Sequence, residues 1–198
     1  MTRSCGYREL AACYTEGRDF QVVVREGRID TVILAIHGGR IESGTAEIAS
    51  LLAGTDCGLY LFKGIRPEGN AALHLPSTRF DDPRVLALVA GARTVVSVHG
   101  CRGESEFLLI GGRDQDRRAR LSAALPAAGI PVEVQAPDHM RGLHKDNICN
   151  LGLTGKGLQL EISAGLRRRL VGSQEGPLLP EPPALLADFS RIIREAIR

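Results

Sequence analysis

The sequence predicts an α/β fold: a single-domain three-layer sandwich with a central mixed, largely parallel β-sheet. Two patterns support this prediction. Apolar stretches of strand length alternate along the chain with stretches of helical spacing, which is typical of an α/β domain. Several of the strand-like stretches are apolar throughout, as expected for strands that helices cover on both faces. The length of 198 residues is sufficient for one domain with its own core.

The first half of the chain contains three predicted strands and three predicted helices. The strands are FQVVV (20–24), TVILAI (31–36) and GLYLF (58–62). The helices are residues 8–13, TAEIASLLA (45–53) and residues 81–91. An EGR turn follows the first strand, and Gly54 directly follows the second helix as a plausible terminator.

The second half contains four predicted strands and two predicted helices. The strands are RTVVSVHG (93–100), EFLLIGG (106–112), PVEVQA (131–136) and GLQLEIS (157–163). The helices are residues 114–128 and the amphipathic tail, ALLADFSRIIREAIR (184–198). Residues 137–157 are polar and Gly-rich and predict a long surface loop, a kind of loop that often carries function. Residues 174–183 hold four prolines and predict a linker between a core at 19–170 and the tail helix.

The overall charge is close to neutral, with 25 basic and 23 acidic residues and a net charge of +2. A general nucleic-acid-binding protein would carry a clustered basic excess, so nucleic acid is not an expected partner. The five cysteines form no CxxC pair, and we interpret them as free thiols in a reducing compartment. The amino terminus lacks the apolar core of a signal peptide, and no stretch reaches the length of a membrane span. We therefore expect a monomer without a membrane partner that either stays in the cytoplasm or leaves it only by lysis.

The stretch TVILAIHGGRIESGTAE at 31–47 contains the first candidate site. An apolar run ends at His37, and Glu42 follows after two glycines that allow a sharp turn. Such a turn would bring the carboxylate of Glu42 back to the imidazole of His37. A neutral imidazole and a carboxylate are suitable zinc ligands. For this pair alone, a structural histidine beside a solvated glutamate is the simpler interpretation.

A second histidine, His99, ends the apolar strand at 93–100 and precedes another glycine. In sheets of this kind, sites gather beyond the carboxyl ends of the strands. His99 would then join His37 and Glu42 in the His2Glu set of a catalytic zinc site, which leaves one position open for water. Zinc in such a site lowers the pKa of its water to about 7 and polarises a substrate carbonyl.

Hydrolysis also requires a general base, and Glu161 in the strand LQLEIS is the candidate. A carboxylate in an apolar strand is costly unless it has a partner. The alternation of the strand favours a different interpretation, in which its leucines and isoleucine face inward and its two polar residues, Gln159 and Glu161, face the solvent.

Four separated motifs, HGGRIESGTAE, LHLPSTRFDDP, VVSVHG and NICNLGLTGKGLQLEIS, resemble the phage and bacterial poly-γ-glutamate hydrolase family, which is similar to the zinc carboxypeptidases. The resemblance runs from Asp19 to Arg169. It implies a zinc carboxypeptidase-like fold, Zn²⁺ as cofactor and hydrolysis of γ-glutamyl amide bonds in an anionic, glutamate-rich polymer or peptide. The residues that match by motif are His37, Glu42 and His99 as zinc ligands and Glu161 as general base.

Two positions depart from the family pattern. Ile36 stands where the family commonly has proline, which changes the entry to the loop and not a ligand. Lys63 stands where the family tends to have glutamate, and this departure leaves the substrate preference open.

An anionic substrate requires cations and amides to bind it. Arg40 and Arg79, which follows the His74 motif, are candidates either for binding a substrate carboxylate or for stabilising the oxyanion; we assign Arg79 to the catalytic group and Arg40 to substrate binding. His74 is expected to contact the substrate or a zinc ligand. Asn147 and Asn150 precede the Glu161 strand and are candidates for binding a substrate amide or carboxylate. Ordinary surface or loop hydrogen bonding is the alternative for each of these residues.

Other conspicuous residues have simpler explanations. Glu47 lies in the first turn of a predicted helix, where a carboxylate is favourable without a metal. Cys101 is interpreted as a small apolar residue, and the arginines at 167–169 as a solvated helix face. Two alternative functions stay open: a metallo-amidase or carboxypeptidase acting on cell-wall peptides or small γ-glutamyl substrates, and a non-catalytic phage-derived protein that acts with nucleic acid. For the second of these functions, the sequence offers neither a basic stripe to bind phosphates nor an aromatic platform to stack on bases.

Overall fold

A seven-stranded β-sheet is the central element of the computed structural model, which describes residues 6–172 and 182–198. Its strands are β1 (Phe20–Arg25), β2 (Thr31–Gly39), β3 (Gly58–Gly64), β4 (Thr94–Cys101), β5 (Leu108–Gly111), β6 (Val132–Glu133) and β7 (Leu158–Ser163). The α-helices of the described residues are α1 (Tyr7–Cys13), α2 (Thr45–Ala53), α3 (Pro83–Ala90), α4 (Gln115–Ala124), α5 (Ala164–Val171) and α6 (Ala184–Ile197). Short 3-10 helices cover Asn70–Leu73, Leu125–Ala128, Asp138–Met140 and Ile148–Asn150.

The strands follow the order β1-β3-β2-β4-β7-β5-β6 across the sheet. Parallel pairing joins β3 to β2, β2 to β4, β4 to β7 and β5 to β6, whereas β1–β3 and β5–β7 are antiparallel. The sheet is therefore mixed and largely parallel, which confirms the predicted fold class. Because β2, β4 and β7 are parallel neighbours, their carboxyl ends lie side by side, and we call this side of the sheet the carboxyl edge.

Helices cover both faces of the sheet and complete a three-layer α/β domain. On one face, α2, α4, α5 and α6 enclose a core that includes Ile33 and Phe189. On the other face, α1, α3 and the 3-10 helix Ile148–Asn150 cover a core that includes Tyr60 and Phe62. None of the helices in the described ranges combines the length and the apolarity needed to cross a membrane.

β6 and α5 both depart from the sequence-based prediction. β6 spans two residues instead of the predicted 131–136. An additional helix, α5, begins directly after β7, with Ser163 as its N-cap, since the hydroxyl of Ser163 accepts the N–H of Leu166. The predicted linker at 174–183 lies outside the described residues, except for its last two prolines.

The segment 137–157 is not a surface loop throughout its length. Ile148 and Cys149 are fully buried in the core, and Asn147 and Asn150 beside them are nearly so. The polar composition of this segment gave no indication that residues 147–150 are buried, because a sequence does not distinguish a buried asparagine from an exposed one in a loop.

Strand β7 is buried at all six positions, including Gln159 and Glu161. The interpretation in which these two residues face the solvent is therefore wrong. β7 lies between β4 and β5, and helices cover both faces of the sheet. Successive side chains of β7 therefore point to opposite faces of the sheet, and both of these faces are buried.

Candidate metal centre

His37 lies at the carboxyl end of β2, where the pairing of β2 with β3 changes register between Ala35 and Gly38. A change of this kind is a β-bulge, which redirects side chains locally. Gly39 has a φ of +62°, a conformation that favours glycine. A Cβ at Gly38 would lie 2.9 Å from the Cβ of Ala46, so there is no room for a larger residue.

The turn after His37 returns the chain to the same point, as the sequence predicts. The N–H of Glu42 donates to the carbonyl oxygen of His37 at 2.9 Å. The Oε2 atom of Glu42 accepts the N–H of Gly100 at 2.7 Å. Glu42 is therefore fixed between the end of β2 and the end of β4.

His37, Glu42 and His99 bring three potential metal ligands together at the carboxyl edge. The Nδ1 atom of His37 lies 3.2 Å from Nδ1 of His99 and 3.2 Å from Oε1 of Glu42. The Nδ1 atom of His99 lies 3.8 Å from Oε2 of Glu42. Both imidazoles are buried, with exposed fractions of 1% and 3%.

These separations fit a zinc ion. Ligand atoms bound at roughly 2.0–2.1 Å in a tetrahedral arrangement are about 3.4 Å from one another. The two Nδ1 atoms are 3.2 Å apart and lie 3.2 and 3.8 Å from different oxygens of Glu42, and one ligand atom from each residue lies within 4.8 Å of the others. Two imidazoles and a carboxylate are also a donor set that zinc accepts readily. The cluster could therefore hold a zinc ion with its fourth position open.

Each imidazole is oriented through its other nitrogen. The Nε2 atom of His37 lies 2.7 Å from the carbonyl oxygen of Leu75, and this nitrogen carries the hydrogen because a carbonyl can only accept. The Nε2 atom of His99 lies 2.8 Å from the hydroxyl of Ser97. Protein metal sites use the same arrangement, in which the nitrogen that does not bind the metal makes a hydrogen bond that fixes the ring.

The electrostatics of the cluster favour the forms that bind a metal. Burial lowers the pKa of His99 to about 3, so its imidazole is neutral near pH 7. Burial acts to raise the pKa of Glu42, but the interactions with His37, His74 and His99 outweigh it, and the pKa of Glu42 lies well below its usual range. The cluster therefore contains a carboxylate and a neutral imidazole before any ion enters.

Glu161 lies directly opposite His99 in the parallel register of β4 and β7 and is 8% exposed. Burial, followed by the negative charge of Glu42, raises the pKa of Glu161 to about 8, against the opposing effects of Gln159 and Arg167. A group that titrates near neutral pH is well matched to proton transfer.

His74 lies beside the cluster, on the segment that follows the 3-10 helix Asn70–Leu73. Its ring stacks on that of His37 with the centroids 3.7 Å apart, and its Nε2 atom lies 3.3 Å from Oε1 of Glu42. The side chain is 47% exposed, so it contacts a ligand residue and still reaches the solvent.

Arg40 and Arg79 are both exposed. The guanidinium of Arg40 donates to the carbonyl oxygen of Arg66 at 3.3 Å. Arg79 follows His74 by five residues, and its charge acts on Glu9 of α1. The roles of these two arginines towards a substrate stay predictions.

The two asparagines have internal partners. Asn147 accepts the N–H of Cys149 and donates to Gln159. Asn150 accepts from the N–H groups of Arg113 and Gly157 and donates to the carbonyls of Gly142 and His144, and these four bonds use both its oxygen and its nitrogen. Substrate binding by Asn150 therefore does not fit its contacts, which hold the loop together.

Arg167 is a residue of the site that sequence reasoning missed. Its guanidinium donates to the carbonyl oxygen of Ser43 at 2.8 Å, to that of Cys101 at 3.2 Å and to that of Ile162. Burial lowers the pKa of Arg167, while Glu42, Cys101 and Glu161 act to raise it. Interpreting all three arginines at 167–169 as a solvated face is thus wrong for Arg167. The sequence holds no signal for this role, because the space for the guanidinium is left by Gly100, which is distant in sequence.

Three other positions were singled out from the sequence. Ile36 is fully buried in the core, and Lys63 is half-buried opposite Gly38 in the pairing of β3 with β2. Cys101 is buried, and burial together with the charge of Glu161 raises the pKa of its thiol to about 11. The thiol is therefore protonated near pH 7, in agreement with its interpretation as a small apolar residue.

Comparison with known proteins gives a consistent result. A family model described as poly-gamma-glutamate hydrolase matches residues 5–176. The UPF0714 protein YndL of Bacillus subtilis (strain 168) is 40% identical over 155 residues, which cover 78% of this chain and 61% of YndL. The SPbeta prophage-derived UPF0714 protein YoqZ of the same strain is 39% identical over 140 residues, 70% of this chain and 51% of YoqZ. The matched region thus spans only about half to three fifths of these relatives.

Two solved structures share the fold. A bacteriophage poly-gamma-glutamate hydrolase superposes with a TM-score of 0.87 at 30% identity, covering 96% of this chain and 94% of the other. A zinc-free form of YndL superposes with a TM-score of 0.87 at 34% identity, covering 96% of this chain and 95% of the other.

Proposed function

The chain belongs to the poly-γ-glutamate hydrolase family, and on that premise we propose that it is a zinc-dependent hydrolase of γ-glutamyl amide bonds, with poly-γ-glutamate as its substrate. The observation that carries the proposal is the convergence of Nδ1 of His37, Nδ1 of His99 and the carboxylate of Glu42 within 3.2–3.8 Å. The description of one YndL structure as a zinc-free form supports zinc as the ion.

His37, Glu42 and His99 would hold the zinc ion. The ion would supply Lewis-acid polarisation of the amide carbonyl and an acidified water. Glu161, on the neighbouring strand, would accept a proton from that water and pass it to the leaving amine. The raised pKa of Glu161 suits this double use, because the group must bind the proton and then release it.

Binding of an anionic polymer would fall to the exposed groups around the carboxyl edge. Arg40 would bind a substrate carboxylate, Arg79 would stabilise the oxyanion, and His74 would contact the substrate from its half-exposed position beside Glu42. Asn147 is buried and bonded to Gln159, which argues for a role towards Glu161 in place of one towards the substrate.

A combined assay on one preparation tests the proposal. Zinc is measured by mass spectrometry, and γ-linked and α-linked glutamate oligomers are digested side by side. We expect one zinc per chain and cleavage of the γ-linked oligomer only. Glu161→Gln should keep its zinc and lose turnover, whereas exposed Glu133→Gln in β6 should keep both.

The outcomes separate the parts of the proposal. Equal cleavage of both linkages would reject the γ-glutamyl specificity. Cleavage of short γ-glutamyl peptides but not of the polymer would favour the small-substrate alternative. Protein that binds no zinc and cleaves neither oligomer would reject the hydrolase itself.

A further inference from the structure

A chain of three buried polar side chains runs from the 137–157 segment to Glu161. The Nδ2 atom of Asn147 donates to Oε1 of Gln159 at 2.8 Å, and the Nε2 atom of Gln159 donates to Oε1 of Glu161 at 2.9 Å. The three residues are 5%, 3% and 8% exposed, respectively. Groups buried to this degree are costly unless they are bonded, so each of them depends on the next.

Backbone groups fix the direction of these hydrogen bonds at Asn147 and at Gln159. The N–H of Cys149, which can only donate, bonds to Oδ1 of Asn147 at 3.1 Å, so the Asn147 amide turns its nitrogen to Gln159. The carbonyl oxygen of Met140, which can only accept, bonds to Nε2 of Gln159 at 3.1 Å. Both amides therefore have one orientation, and Glu161 necessarily receives an N–H.

The backbone of the segment also packs against Gln159. A Cβ at Gly142 would lie 2.9 Å from Cβ, Cδ and Oε1 of Gln159, and Gly142 has a φ of +63°. Only glycine allows the loop to pass this close to the amide. The Gln159 side chain is thus held by contacts as well as by hydrogen bonds.

We propose that Gln159, itself held by Asn147, is a positioning residue that anchors Oε1 of Glu161 and leaves Oε2 for the reacting water. This inference rests on the proposed role of Glu161 as general base. A base must be aligned with the proton that it accepts, and a displacement of about 1 Å can reduce the rate on the order of 100-fold. The 137–157 segment would therefore act in catalysis through orientation, without touching the substrate.

Two substitutions test this series of hydrogen bonds, one at Gln159 and one at Asn147. Gln159→Met keeps the length of the side chain and removes the donor to Glu161. Asn147→Asp still accepts from Cys149, so the cap of the 3-10 helix remains, but it presents an oxygen to the oxygen of Gln159. We expect kcat to fall about 10- to 100-fold in each variant, with KM and bound zinc close to wild type. The double variant should be no slower than Gln159→Met, because both act through one chain.

Thr154→Val is the matched control. The hydroxyl of Thr154 lies in the same segment and donates to the backbone carbonyls of Arg93 and Lys156, away from Gly142 and Gln159. We expect this variant to lose some thermal stability while the folded, zinc-loaded enzyme keeps its kcat. Wild-type kcat in Gln159→Met, or a loss of zinc in place of kcat, would overturn the inference, and wild-type kcat in Asn147→Asp alone would refute the part assigned to Asn147.

Glu161→Gln distinguishes the two levels of the argument. An active Glu161→Gln enzyme would refute the proposed base and the positioning role together. An inactive Glu161→Gln enzyme beside a fully active Gln159→Met enzyme would refute the positioning role alone.

Discussion

The Nδ1 atoms of His37 and His99 lie 3.2 Å apart, although 62 positions separate the two residues in sequence. The hydrogen bond of His37 to the carbonyl of Leu75 places its hydrogen on Nε2, which leaves a lone pair on Nδ1 when the ring is neutral. Burial lowers the pKa of His99, so this ring is neutral near pH 7. Two ring nitrogens at this distance can share either a hydrogen on Nδ1 of His99 or a metal ion, and the Glu42 carboxylate beside them completes a set of three potential ligands for a metal.

The first prediction concerns the ligands themselves. His37→Ala and His99→Ala should each lose stoichiometric zinc, because two remaining ligands do not hold the ion well. In the wild-type protein, free zinc at 100 times its Kd should raise the free energy of unfolding by about 2.7 kcal/mol, and the two variants should lack this effect. Thermal melts with and without zinc measure it, and His139→Ala, at an exposed position in the 3-10 helix Asp138–Met140, is the control. A zinc-induced shift that survives in both variants would refute the assigned ligands.

The second prediction concerns Ser97, which is fully buried and bonded to Nε2 of His99. Ser97→Ala removes the group that orients the ring, and partners of this kind typically contribute 10- to 100-fold, roughly, to metal affinity. Competition with a chelator measures the change. Ser50→Ala, on α2, removes a hydroxyl that bonds only to the Ala46 carbonyl, and its zinc affinity should match the wild type. Equal affinities in the two variants would contradict the prediction.

The third prediction concerns pH and the metal-free protein. The pKa of Glu161 is raised from 4.5 to about 8, so between these values the folded state binds a proton that the unfolded state has released. Stability must therefore fall as pH rises through this window. Glu161→Gln removes this contribution, so its stability relative to wild type should increase from pH 4.5 to pH 8 and be constant below. Urea unfolding of both zinc-free proteins across the window tests this, and a difference that does not change with pH would refute it.

The fourth prediction concerns Arg167. Arg167→Met removes charge-assisted hydrogen bonds to Ser43, Cys101 and Ile162 and should lower the free energy of unfolding by on the order of 2 kcal/mol. Arg167→Lys should recover only part of this, because an ammonium cannot span the three carbonyls. Both should bind zinc more weakly, since each carbonyl lies one or two residues from Glu42, His99 or Glu161.

The neighbouring Arg168 supplies the matched control for this experiment. It is exposed and pairs with Glu104, so Arg168→Met should change stability by less than about 1 kcal/mol and leave zinc affinity unaltered. If the two methionine variants behave alike, Arg167 has no special function at the carboxyl edge.

The metal-ligand cluster could be predicted from local sequence patterns. His37 and His99 each end an apolar run before glycine, and parallel strands bring such ends together at one edge of the sheet. The roles of Gln159 and Asn147 could not be predicted, because the sequence does not show whether an amide side chain is buried or exposed to solvent. Arg167 was hidden for a related reason: Gly100 leaves the space that its guanidinium occupies, and that complementarity exists only in three dimensions.

The order of the strands has a consequence for how the protein acquires its ion. β2, β4 and β7 are parallel, so each junction between them requires a crossover, and contacts of such long sequence separation form late and slowly during folding. An ion cannot find His37 and His99 together until that pairing exists. Zinc would therefore leave the refolding rate nearly unchanged and slow the unfolding rate. The ion would stabilise the folded protein after the strands have paired and would not direct their pairing.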